Sequence, residues 1–360
     1  IAYYPHPKSC IYKLNSSLNK DGETNIKSIL KGMEQTAGRL VIYIDPRYDV
    51  PRLLTVKGGK GCRLDTLETY TEENSASPEV LARVVKEVQK RYPASSYGLV
   101  LWSHGLGWVP PEYSFPGGYA MRLPDPDMPR TKYYAEDEHP GTTGKAYMDI
   151  REMAARLPGH FNFILWDVCF MGGIEVAYEL RNKTDYMIAS PAEVISDGFP
   201  YEKIVPLFWG GEEAMKQICR EYYNHYNKYP VNSLWRSAVV GLVKTEELEP
   251  LAAKVRTLLA GKTDYARAWH YPLNQGGLPM VFFDFGDYIR KMTTEEEYNS
   301  FKKLLDRVVI YKAATEKLFG EEVPADKFSG LTSYIPFSEW SDMNTYYYTL
   351  DWGATVYENN

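Results

Sequence analysis

The chain has 360 residues, enough to bury a large core and to form one domain with insertions or about two domains. A formal charge of −6, a pI near 5.7 and the lack of a basic stripe with interleaved aromatics argue against a nucleic-acid partner. No apolar run approaches the roughly 18 residues of a membrane helix, and Cys10, Cys62, Cys169 and Cys219 show neither CxxC zinc spacing nor the density of a disulfide scaffold.

The first ten residues lack a pattern and are broken by Pro5 and Pro7. The sequence does not start with Met and carries no leader, as expected of a mature or trimmed chain. Residues 11–14 read as an abbreviated strand and 15–23 as a polar loop. Residues 25–35 are amphipathic, with Ile26, Ile29, Leu30 and Met33 on one helical face. Residues 40–45 make a buried β-branched strand. Residues 52–56 and 63–70 flank Gly58-Gly59-Lys60-Gly61 as a hairpin.

Ser77-Pro78-Glu79 starts a helix that runs to about residue 92. Residues 97–103 form an apolar strand ending in His104-Gly105. Residues 106–147 hold seven prolines, scattered acids and little periodicity, so they form a long exposed loop. After a helix at 149–157, residues 161–166 repeat the apolar strand, followed by Asp167, Cys169 and a Gly pair that opens a helix at 174–180. Further strands are expected at 186–190, 237–243 and 331–336. Helices are expected at 201–208, 211–229, 246–259 and 284–292, and one from 294 that continues to about 315. Strands alternating with helices predict an α/β fold with a mostly parallel sheet covered on both faces. The expected division is a core at 1–240 and a more helical subdomain at 241–360 packed on it, with its late strand near 331–336.

Two apolar strands thus end in chemistry-bearing residues. Open α/β sheets bind ligands at the carboxyl ends of their strands. A thiol beside a helix N-terminus has its pKa lowered there. Cys169 with His104 forms a candidate nucleophile–base pair, and the backbone N–H groups of Gly105 and Cys169 a candidate oxyanion hole. Asp167, two residues before the thiol, is costly inside a sheet edge unless a cationic group meets it. Cys62 and Cys219 read as inert, and His6, His139, His160, His225 and His270 as structural or surface residues. The order His then Cys is that of caspase-like enzymes.

Trp102-Ser103-His104-Gly105 together with Asp167-Val168-Cys169-Phe170-Met171-Gly172 resembles the clostripain family of cysteine peptidases, in the caspase–gingipain–legumain group. Supporting similarity lies at 40–45, 189–191, 197–201 and 331–336. The resemblance implies a caspase-like α/β/α sandwich, a His104–Cys169 dyad and cleavage after Arg, then Lys. It implies that Asp167 lines the S1 pocket, with Asp197 as a second S1 acid; a turn residue before Gly198 is the other reading of Asp197. Val168 stands where the family pattern has Ala.

Relatives are often activated by internal cleavage between His and Cys. Lys145-Ala146 is the expected processing bond, with Arg130 and Lys132 as alternatives. No cofactor is expected. Some relatives require calcium, for which the acids at 125, 127 and 136–138 are candidates, though no EF-hand-like loop exists. The implied partners are protein or peptide substrates with Arg or Lys at P1. The implied form is a monomer, or two chains after internal cleavage, exported to the envelope or the medium. A catalytically silent caspase-like binding module is the rival reading. A flavodoxin-like small-molecule binder lacks the glycine-rich phosphate loop at the first strand.

Overall fold

Apolar runs that pack on both faces of a pleated surface build the centre of the molecule. The computed structural model describes residues 2–4, 18–46, 49–71, 73–110, 127–132, 148–230, 232–274 and 280–357. In chain order, β1 (Ala2–Tyr4) is followed by α1 (Leu18–Met33), β2 (Arg39–Ile44), β3 (Arg52–Lys57), β4 (Asp65–Thr69), α2 (Pro78–Arg91) and β5 (Gly98–Trp102). Next come α3 (Ile150–Arg156), β6 (Phe161–Asp167), α4 (Ile174–Glu179), β7 (Thr184–Ala189), α5 (Tyr201–Ile204), α6 (Glu212–Asn227), β8 (Val239–Lys244) and α7 (Leu248–Leu259). The last part holds β9 (Phe283–Asp284), α8 (Phe285–Met292), α9 (Glu295–Val308), β10 (Val309–Ala314), β11 (Lys317–Leu318), β12 (Glu321–Glu322), β13 (Thr332–Ser333), α10 (Ser341–Tyr347) and α11 (Asp351–Tyr357).

Among the described residues the main sheet has nine strands, in the order β10-β8-β7-β6-β5-β1-β2-β3-β4. The five central strands, β7 to β2, pair in parallel. The two strands at each edge pair antiparallel, β3 and β4 on one side and β8 and β10 on the other. The fold is the caspase-like α/β/α sandwich. The chain builds outward from β1 to β4, then returns to lay β5 on the other side of β1. That reversal puts a topological switch point beside β5, where α/β sheets open a crevice.

Strand alternation divides the core. Leu99, Leu101, Ile164 and Trp166 belong to the cluster that also holds residues of α2, α3, α4 and α7. Val100, Trp102, Phe163 and Leu165 belong to the opposite cluster, with residues of α1, α5 and α6. Ser77 caps α2 by accepting from the N–H groups of Glu79 and Val80, and Asp149 caps α3 through Arg151 and Glu152, as the local sequence predicts.

Several elements differ from expectation. The first strand is Ala2–Tyr4, between β2 and β5, while 11–14 lies outside the described residues. Part of the expected polar loop at 15–23 is the first turn of α1. The helix from 294 stops at Val308, and Val309–Ala314 turns into β10, which pairs with β8. Thr332–Ser333 does not join the main sheet but pairs with Phe283–Asp284. The expected boundary at 240/241 falls inside β8, and β10 ties the C-terminal third into the same sheet.

Candidate active site

The register of β5 on β6 pairs Trp102 with Asp167. His104 and Cys169 therefore each lie two residues beyond the same rung, in adjacent turns at the carboxyl ends of neighbouring strands. The two turns pack closely. A Cβ on Gly105 would collide with the Val168 side chain and lie 3.3 Å from the Cys169 carbonyl oxygen. The larger Val168 is thus accommodated by the glycine of the His-Gly turn, and it is buried there. Cys169 follows the end of β6, so strand alternation does not carry on to it. Its thiol is buried, its Sγ accepts from the Val194 N–H at 3.1 Å, and the next residue, Phe170, has a φ of 61°. A non-glycine residue in the left-handed region is uncommon and marks a locally constrained turn. Stacking on Phe282 at 4.2 Å helps hold it.

The cleft is occupied by the chain itself. Residues 130–132 lie antiparallel to 194–196: Thr131 bridges Ile195, the Lys132 N–H donates to the Val194 carbonyl at 2.8 Å, and the Ser196 N–H donates to the Arg130 carbonyl at 2.8 Å. Asn274 adds a bond from Nδ2 to the Pro129 carbonyl at 2.7 Å. This isolated antiparallel bridge uses the same backbone pairing by which extended peptides are held in a cleft. The Thr131 hydroxyl meets Glu193, a buried residue whose other carboxylate oxygen accepts from the Asn274 N–H at 2.7 Å.

Lys132 is wholly buried, and its ammonium pairs with Asp167, also wholly buried. The ammonium lies 4.8 Å from the centre of the Trp102 ring. Asp167 Oδ2 accepts from the Phe199 N–H at 3.2 Å and the Tyr201 hydroxyl at 2.8 Å. A charge removed from water needs such partners, since the effective penalty is several kcal/mol per ion. Gly198, at a φ of 73°, forms the wall here: any Cβ on it would run into the Asp167 carboxylate and the Lys132 ammonium.

Asp197 is placed differently. Its carboxylate accepts from the Tyr229 hydroxyl at 2.6 Å, and it acts on Asp21 by like-charge repulsion. Besides Asp167, the charges of Cys169 and of Asp21, in the first turn of α1, bear on Lys132. Asp21 accepts from the Arg130 guanidinium at 3.3 and 3.4 Å. Neither Asp21 nor Glu193 carries a local sequence signal; their partners Arg130 and Thr131 are 109 and 62 residues away in the chain.

Occupation changes the electrostatics. Burial pushes the Cys169 thiol well up from its ordinary value, with Glu193 adding to the effect. Burial pushes the His104 imidazole down to about 4, against the opposing pull of the nearby Lys132 backbone carbonyl. Burial also lowers the Lys132 ammonium, which Asp167 counters. At neutral pH the occupied site therefore holds a neutral thiol and a neutral imidazole. Lys145-Ala146 and the acids at 125 and 136–138 lie outside the described residues. Among the described residues no group of three or more His, Cys, Asp or Glu side chains is placed to hold a metal ion. Cys219 is buried in α6, and His270 is fixed by the Tyr271 carbonyl and the Phe282 N–H.

A switch-point sandwich with His-Gly and Asp-x-Cys turns on adjacent strands is that of a caspase-like cysteine peptidase. The chain belongs to the clostripain family, whose model matches residues 12–353. It is 32% identical to an inactive zymogen C11 protease from Parabacteroides distasonis, over 99% of this chain and 96% of that one, with a TM-score of 0.77. It is 27% identical to a secreted C11 cysteine protease from Bacteroides thetaiotaomicron, solved with an irreversible peptide inhibitor, over 99% and 97% of the two chains, with a TM-score of 0.79. Clostripain of Hathewaya histolytica is 27% identical over 169 residues, and the matched part spans 42% of this chain and 30% of that relative's length.

Proposed function

We propose that this protein is an endopeptidase that cleaves after Lys or Arg, using Cys169 as nucleophile and His104 as base, and that it first cuts itself after Lys132. The observation that carries this reading is the seat of Lys132. Its ammonium is on Asp167, its N–H on Val194, and its carbonyl beside His104. A planar guanidinium suits the same carboxylate at least as well as an ammonium does. Asp197 enters as a more distant contributor to the acidic field rather than as a contact of Lys132.

In the reaction, His104 takes the Cys169 proton as the sulfur adds to the P1 carbonyl carbon, and the Gly105 and Cys169 N–H groups meet the oxyanion. Protonated His104 then gives its proton to the leaving amine, and a thioester forms. His104 next takes a proton from water, whose oxygen attacks the thioester, releasing the carboxylate product and the thiol. For the first turnover the bond is Lys132–Tyr133. Lys132 is proposed as the first processing residue because, among the described residues, it is the lysine whose ammonium pairs with Asp167. No added metal enters these steps, and calcium is tested by chelation during the same assay. Export is the reading supported by the secreted relative. Among the described residues no helix is long and apolar enough to cross a membrane.

The test is intact mass and N-terminal sequencing after incubation. Wild type should yield a new terminus at Tyr133, while Cys169→Ala stays whole and Lys132→Ala is not cut at that bond. A first cut at Ala146 would restore Lys145 as the processing residue. No Cys169-dependent turnover of a fluorogenic Lys or Arg peptide, even after limited trypsin treatment, would sink the peptidase reading and leave the silent binding module.

A further inference from the structure

The extended segment at 130–132 does more than fill S1. Along an extended strand, residues i and i+2 share a side. Arg130 therefore returns to the side of Lys132, while Thr131 faces Glu193. The Arg130 guanidinium reaches both oxygens of Asp21. Asp21 is only 13% exposed, while Arg130 is 46% exposed, so the carboxylate is a largely sheltered acid approached by a cation from the cleft side. Asp21 belongs to the folded body, on α1, whose Gly22 lies against the Trp102 ring that also flanks the Lys132 ammonium. The cations that chiefly favour its charged form, Arg130 and Lys132, both belong to the strand in the cleft, while burial and Asp197 oppose that form. A sheltered carboxylate beside another acid leaves a place for a cation when the strand departs.

We propose that Asp21 is a specificity-determining residue that reads a basic side chain at P3, so that the preferred substrates are peptides of the form Arg/Lys-x-Lys/Arg cut after the second basic residue. This rests on the reading of 130–132 as a substrate-like extended segment with Lys132 at P1. It adds a second basic position two residues upstream, held by a different element of the fold. Thr131 at the intervening position meets Glu193, so the two outer positions carry the charge recognition.

The experiment compares fluorogenic peptides with Thr at P2, Lys at P1 and Arg, Ala or Glu at P3. The enzymes are processed wild type, Asp21→Asn and Asp21→Lys. For a half-sheltered ion pair wild type should favour Arg over Ala at P3 by about fivefold to tenfold in kcat/KM, with Glu below Ala. That ratio should shrink as salt is raised. Asp21→Asn should bring the Arg:Ala ratio to about one, and Asp21→Lys should turn the preference toward Glu, an inversion that loss of structure does not produce. In the uncut chain, Arg130→Glu should slow self-cleavage and Asp21→Lys in the same chain should restore it. Turnover that ignores P3, or an Asp21→Asn enzyme that keeps the preference, overturns the inference while leaving the peptidase reading standing. Absence of any Cys169-dependent turnover overturns both.

Discussion

The Lys132 ammonium lies on the Asp167 carboxylate with neither side chain reaching solvent. A pair this buried is strongly destabilising to break from one side, by about 3–5 kcal/mol, because the remaining charge is left uncompensated. Asp167→Asn should therefore lower the Tm of the uncut chain. Lys132→Met in that background should recover most of the loss, since an apolar side chain of similar length then meets an uncharged wall. The same Asp167→Asn change should reduce kcat/KM for P1-Lys and P1-Arg peptides by about a hundredfold or more. Stability and kinetics measured on the same variants check both parts. A wild-type preference for basic P1 residues in Asp167→Asn would remove Asp167 from the pocket.

Gly198 constrains the same pair through the backbone. Its φ of 73° disfavours any Cβ, and the space a Cβ would take is held by the carboxylate and the ammonium. Gly198→Ala should cost about 2 kcal/mol in the uncut chain from the left-handed backbone and the overpacking together. In the cut enzyme it should raise KM for basic peptides more than it lowers kcat, because the pocket wall is displaced while the dyad is untouched. Equal loss in both constants would mean that the turn positions the nucleophile rather than the P1 side chain.

The sequence made some of this legible and not the rest, for physical reasons. β5 and β6 stand out because a strand buried on both faces is a nearly continuous apolar run, and their ends expose His104 and Cys169 as breaks in that pattern. β1 has only three residues, too few for a period, and is a strand because β2 and β5 pair with it on both sides. Val309–Ala314 continues a helical run in sequence, and pairing with β8 overrides that tendency, in keeping with the β-branched and aromatic residues at its start. In sequence Lys132 is an alternative processing residue in a proline-rich loop, with no local feature that ranks it above Lys145. What distinguishes it is a carboxylate 35 positions further along the chain (132 to 167), a relation with no local period. Asp21 is hidden for the same reason, on the polar start of an amphipathic helix.

Glu175 links α4 to the 331–335 segment and gives the fold a pH dependence of its own. Its carboxylate is buried and accepts from the Tyr334 N–H at 2.8 Å and the Tyr347 hydroxyl at 3.2 Å. Burial raises it from 4.5 to about 7. The native state thus keeps a proton that the unfolded chain has released, so stability falls as pH rises from about 4.5 to about 7, by up to roughly 3 kcal/mol. Asp284, raised to about 6, contributes in the lower part of the window. Glu175→Gln should flatten the upper part of the slope in denaturant titrations at pH 5, 6 and 7. A slope unchanged by the substitution would mean that Glu175 stays ionised in the native state.

The reactivity of Cys169 reports whether the cleft is filled. With 127–132 in place the thiol is buried and shifted well above its ordinary value, and His104 is pushed down to about 4, so no thiolate–imidazolium pair exists at neutral pH. Alkylation of the uncut Lys132→Ala chain measures a filled cleft if the backbone bonds to Val194 and Ser196 suffice to hold the strand. Lys132→Glu sets a carboxylate against Asp167 and should expel it. Removing the strand returns water to the site, which lets the imidazole regain its proton and the thiol lose its own. Iodoacetamide should then modify Cys169 in Lys132→Glu about a hundredfold faster at pH 7 than in the chain with the strand seated, with the midpoint of the pH–rate curve moved down. Cys10 and Cys62 should be replaced by Ser and Cys219 by Ala to isolate the signal, since the chain has four cysteines and Cys62 is partly exposed. Equal rates and equal midpoints in the two chains would show that the strand does not govern the nucleophile, and regulation would have to be sought elsewhere in the cleft.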